Sequence, residues 1–185
     1  VAEGHAPAAA EAAAAGAAGD LGLAQLLASD ERLGVRCASW ARIADELDGT
    51  GHAVWRLVAE QRAAIDTALE HVKKRFDAAE ADLAARIEEL GLPKGRLREL
   101  ADSNKRQLRR ARTAEVRLGL ATLAGRYRDA MATDGRRREL VDALAAIDAT
   151  YEAVLVRNAN EQLQLQALLL RLPSLAGGSG PTAES

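Results

Sequence analysis

Apolar side chains recur along this chain at spacings of three and four, the period of helices that bury one face. Leu33, Cys37, Trp40, Ile43 and Leu47 form one such stripe, on a helix that Asp30 is placed to open. Asp48-Gly49-Thr50-Gly51 is the clearest break, a group of turn formers with Thr50 as a cap for the next helix. The period then runs through Val54, Val58, Ile65, Leu69, Val72, Phe76, Leu83, Ile87 and Leu90. A continuous helix of that extent would be roughly 60 Å long. A small domain cannot bury it throughout, so it pairs with another long helix, projects, or breaks where charges concentrate around Lys73–Asp82.

Gly91-Leu92-Pro93-Lys94-Gly95 ends that segment, since proline disfavours helical geometry in its predecessor and glycine readily terminates a helix. A new helix is expected from Arg96, with Val116, Leu120, Leu123, Tyr127 and Met131 spaced as in a bundle. After the turn at Thr133-Asp134-Gly135, Leu140, Leu144, Ile147, Tyr151 and Leu155 share a face. Asn158 and Glu161 have the spacing of a capping box for a last helix, Gln162 to Leu172. Its leucines at 163, 165, 168, 169, 170 and 172 form a surface too wide for one-sided burial.

Towards the N-terminus, Pro7 and Ala8–Ala15 read as a short helix or as low-complexity chain, and Asp20 can cap another carrying Leu23, Leu26 and Leu27. Residues 176–185 lose all periodicity and read as a disordered tail. The fold class expected is therefore all-α. Composition agrees, because 48% of the residues are apolar but only 3% aromatic, which disfavours a β-sandwich or barrel.

The net charge of -2 conceals an asymmetry: residues 1–60 carry four basic and nine acidic side chains, whereas 94–117 carries nine and three. A nucleic-acid argument must rest on that middle stretch alone. Within it, Lys105, Arg106, Arg109, Arg110 and Arg112 are the candidate contacts to DNA or a partner, against the alternative of a solvated helix. Taken together they cover much of a helix circumference, and no aromatics are interleaved for base stacking.

Catalytic constellations are absent from the sequence. His5, His52 and His71 are scattered, and neither a metalloprotease HExxH, a GxSxG nor a phosphate-cradling loop occurs. Cys37 is the single cysteine, which excludes an internal disulfide and reads as a small core residue or, less simply, a reactive thiol. Trp40 and Trp55 are anchors for a core or an interface. No leader and no apolar run near 18 residues is seen, so a cytoplasmic location without a membrane span is expected.

Three stretches resemble, in order along the chain, the C-terminal portion of the delta-prime subunits of bacterial DNA polymerase III, of the actinobacterial type. Residues 14–27, including Gly19-Asp20-Leu21-Gly22-Leu23, are similar to the end of an AAA+ helical lid. Leu118 to Asp129, ending Gly125-Arg126-Tyr127-Arg128-Asp129, is similar to a helix of the clamp-loader collar. Asn158 to Pro173 resembles the last collar helix.

The resemblance implies a lid remnant over 1–48, a helical collar domain over 49–175 and the tail beyond. Gly22 stands where active ATPases of this kind carry a sensor-2 arginine, which implies a member that does not hydrolyse ATP. The implied role is that of a non-catalytic subunit in a holoenzyme that is a DNA-directed DNA polymerase, a nucleotidyltransferase. Its collar would assemble with the gamma/tau and delta subunits, and the complex would load the sliding clamp on primer-template DNA. Leu165, Leu168, Leu169 and Leu172 are the candidate subunit interface. No cofactor is expected in this chain: ATP would belong to the partner subunits and zinc to an upstream domain. Val1 first and Met131 the single methionine fit a truncated product or an alternative start codon, and truncation is expected, since the resemblance implies an upstream AAA+ domain. The alternative from the long periodic segment is a helical coiled-coil adaptor unrelated to replication.

Overall fold

The computed structural model describes residues 31–176, with side chains from Gly34 onward. The two short N-terminal helices, Gly22 and residues 177–185 of the tail lie outside the described residues. Among the described residues five α-helices follow one another: α1 (Glu31–Glu46), α2 (Gly51–Leu90), α3 (Gly95–Ala130), α4 (Arg137–Tyr151) and α5 (Glu161–Leu169). One π-helical turn, Glu152–Val156, extends α4, and no strand occurs among the described residues. The chain is all-α.

Local chemistry explains where the helices begin and end. The Asp48 carboxylate accepts from the Thr50 amide at 2.8 Å and the Thr50 hydroxyl at 2.7 Å, while Thr50 Oγ1 accepts from the Ala53 amide at 3.2 Å. The threonine thus caps α2, and its hydrogen bonds hold the Asp48 carboxyl below the usual range. At the other end Gly91 takes φ 63°, and the Leu92 amide reaches back to the Ile87 carbonyl at 3.1 Å. That left-handed closure satisfies a terminal carbonyl and stops the helix.

The cap of α5 differs from the spacing argument. Asn160, not Asn158, accepts from the Leu163 amide at 3.1 Å, and Asn158 instead adopts φ 56°. The π-helical turn consumes the intervening residues: the Arg157 amide bonds to the Glu152 carbonyl and the Ala159 amide to the Ala153 carbonyl. Asn158 tolerates the left-handed conformation that redirects the chain into the cap.

The described residues form two compact units, one of those up to Gln61 together with those from Arg117 onward, the other of Arg62–Val116. The first is a helical bundle. Trp40, Ile43 and Ala44 of α1 and Leu47 just after it are buried in it with Leu120, Leu123 and Tyr127 of α3 and Leu140 and Ile147 of α4. Helix α1 is therefore part of the bundle core. Asp45 of α1 pairs with Arg126 of α3 at 2.9 Å, and Gln61 Nε2 donates to the Ser39 hydroxyl at 2.9 Å.

The segment after α5 closes this unit. The Tyr127 hydroxyl donates to the Pro173 carbonyl at 2.8 Å, and the Leu175 amide donates to the Ala44 carbonyl at 2.7 Å. Arg136 is held by Asp134 through its backbone amide, Nε and Nη2, and donates to the Ser174 carbonyl at 3.2 Å. Asp134 is half-buried, and the Arg136 hydrogen bonds hold its carboxyl below the ordinary value.

The second unit is an antiparallel hairpin of the far part of α2 and the near part of α3. Ile65, Leu69 and Ile87 are buried on one helix, and half-buried Leu97, Leu100 and Leu108 lie on the other. Among those positions sits one polar pair, buried Asn104, whose Nδ2 donates to Glu80 Oε1 at 2.8 Å. Pairing with a second long helix thus resolves the open question about the segment from 62 to 90, which does not break near Lys73.

Candidate functional site

Within the hairpin, Asp66, Leu69, Glu70 and Lys73 of α2 face Lys105, Leu108, Arg109 and Arg112 of α3 across a groove of about 610 Å³. Lys105, Arg109 and Arg112 stand at i, i+4 and i+7, which aligns them on one face of α3. Lys73 is contributed from the opposite helix.

The acidic residues of the groove are each engaged by a cation. Asp66 pairs with Arg112, and Glu70 pairs with Lys74 at 2.8 Å along α2. The Lys74 ammonium, first by its hydrogen bond and then by its charge, holds the Glu70 carboxyl below the ordinary range. Lys73, Lys105 and Arg109 are exposed and form no ion pair among the described residues. The groove therefore presents three cations outside any ion pair, of which Lys73 also acts through its charge on Glu70, beside one shared guanidinium.

This arrangement divides the basic cluster of the sequence. Lys105, Arg109 and Arg112 line the groove, whereas Arg106 and Arg110 are exposed but do not line it. Lys73 was not among the candidates from sequence. The signal available for it was the antiparallel pairing of two periodic helices, which brings the Lys73–Arg75 run opposite the arginine-rich stretch.

The four leucines expected at a subunit interface are placed otherwise. Leu165, Leu168, Leu169 and Leu172 are buried within the chain, Leu168 with 1% of its surface accessible. Their apolar area is already removed from water by the bundle, so they are not available to a partner. The outward leucines of the same segment are Leu163 and Leu170, 61% and 63% exposed, with exposed Ala167 between them. These three stand at i, i+4 and i+7 and form a single apolar stripe.

The two tryptophans separate in the same way: Trp40 is buried, while Trp55 is 60% exposed on α2. Cys37 is half-buried rather than enclosed. A second hollow, of about 390 Å³, lies between α3 and α4 and is lined mainly by Leu120, Ala124, Leu144, Ile147 and Tyr151. Among the described residues, no group of three His, Cys, Asp or Glu side chains is placed to hold a metal ion, and no helix is long and apolar enough to cross a membrane.

Compared with known proteins, the chain matches no family model, no curated protein and no solved structure.

Proposed function

We propose that this chain is the collar-bearing portion of a clamp-loader delta-prime subunit, a non-catalytic cytoplasmic component that joins gamma/tau and delta subunits to load a sliding clamp on primer-template DNA. The observation that supports this reading is the relation between two of the resembling stretches. Leu118–Asp129 and Asn158–Pro173, separate in sequence, share one bundle core, and the Tyr127 hydroxyl of the first bonds to the Pro173 carbonyl of the second. In this reading the assembly contact is made by the outward stripe of Leu163, Ala167 and Leu170, where burying two exposed leucines would contribute about 1.5–3 kcal/mol each before association costs. ATP would be bound by the partner subunits.

The test is sedimentation of the chain with gamma/tau and delta subunits of the same organism, using wild type and a Leu163→Asp/Leu170→Asp variant. Co-sedimentation of the wild type in fixed stoichiometry, lost in a variant of unchanged helicity, is expected. The second reading, a helical adaptor outside replication, is favoured by the long hairpin of residues 62–116. A chain that ignores those subunits and self-associates would support it instead.

A further inference from the structure

We propose that the hairpin groove between Lys73 of α2 and Lys105, Arg109 and Arg112 of α3 is a binding site for the phosphodiester backbone of nucleic acid, contacted without reading of base sequence. The inference rests on the groove itself and stands apart from the assembly reading.

Three features of the groove favour this ligand. First, its cations converge from two helices while its two carboxylates are engaged by Arg112 and Lys74, so Lys73, Lys105 and Arg109 keep their charge available. Second, the α3 cations are spaced by about one helical turn each, a linear row suited to a ligand with repeated charges. Third, no aromatic side chain lines the groove, so bases have no stacking platform and the contact is made to phosphates.

An acidic protein segment is the competing polyanion. Protein partners are held chiefly by a few anchors, aromatic residues and arginine above all, packed into desolvated pockets at the centre of the contact. Here Leu69 is buried and Leu108 half-buried, and the exposed large apolar residue of the hairpin, Leu90, lies outside the groove. Much of the groove's exposed surface is apolar, but no exposed large apolar residue lines it to anchor a protein segment, so its affinity comes from its cations through counterion release, which nucleic acid supplies most strongly.

The test is fluorescence anisotropy of the full chain with a labelled mixed-sequence oligonucleotide, as duplex and as single strand, over a salt series. Two variants of equal charge loss are compared, Lys105→Ala/Arg109→Ala in the groove and Arg106→Ala/Arg110→Ala outside it. The first is expected to lower affinity at least tenfold and to reduce the salt slope by about 0.9 per lost contact on duplex or about 0.7 on single strand. The second is expected to change both much less. The slope and the tighter of the two forms identify which kind of strand supplies the phosphates.

An independent readout uses the unaltered protein: bound oligonucleotide should shield Lys73 and Lys105 from amine acetylation while leaving Lys94 reactive. Equal losses in the two variants, no oligonucleotide binding, or capture of poly-glutamate in place of oligonucleotide would each overturn the assignment.

Discussion

The indole of Trp40 fills the space that a side chain at residue 119 would need: a Cβ built on Gly119 falls 2.0 Å from Cε2, 2.3 Å from Cδ2 and 2.4 Å from Cζ2. The contact joins α1 to α3 at the centre of the bundle, and it explains a glycine in a helix interior that would otherwise favour alanine by about 1 kcal/mol. Gly119→Ala must displace the indole, an overpacking change that costs about 1–3 kcal/mol or more. Gly125→Ala, on the same helix with nothing within 4 Å of its Cβ, should instead stabilise by about 0.5–1 kcal/mol. Urea unfolding of the two variants should give shifts of opposite sign, and a neutral Gly119→Ala would show that the indole does not occupy this space.

Tyr127 supplies a pH-dependent prediction. Its phenol is buried, donates to the Pro173 carbonyl, and burial pushes its pKa well above the ordinary value of 10.0. The unfolded phenol ionises first, so this contribution to stability is complete below about pH 10 and is lost as pH rises through the folded value. Tyr127→Phe should remove this part of the alkaline loss. At neutral pH it should destabilise by about 1–3 kcal/mol, because the Pro173 carbonyl is left unpaired. Unfolding midpoints measured from pH 8 upward would show the two curves converging.

The leucines of α5 and its C-terminal turn should divide into two classes. Leu168→Ala removes a side chain with 1% of its surface exposed and should cost about 2–5 kcal/mol. Leu170→Ala, at 63% exposure, should stay within about 0.5 kcal/mol. Thermal unfolding of the isolated chain is sufficient for this comparison.

Asn104 and Glu80 make the hairpin pair in one register, since sliding either helix strands a buried amide. Asn104→Leu should raise thermal stability while loosening the alignment, as buried polar residues do in helical pairs. Cysteine pairs placed across the hairpin would report this as cross-linking at more than one offset.

The helices and turns were legible because three- and four-residue spacing and glycine-centred breaks act locally. The threonine cap at residue 50 and the stop at Gly91 follow from side-chain and backbone chemistry within a few residues. What the pattern did not separate was direction. A segment with leucines at 163, 165, 168, 169, 170 and 172 looks apolar on every side, and the bundle decides that 165, 168, 169 and 172 point inward. The same limit applied to the arginines, which circle α3 in sequence and acquire a groove side when α2 is laid opposite. The cap of α5 was misplaced by two residues because a π-helical turn has no marked sequence signature.

The bundle is assembled from chain segments on either side of Arg62–Val116, which has consequences for synthesis on the ribosome. Trp40, Ile43 and Leu57 emerge well before Leu120 and Tyr127, with the whole hairpin translated in between. At roughly 5–20 residues per second, the early helices wait on the order of seconds with their apolar faces uncovered. The hairpin, whose contacts are close in sequence, can meanwhile close on itself. Nascent-chain crowding, or a chaperone that shields α1 during that interval, should therefore govern yield more than the stability of the finished bundle does.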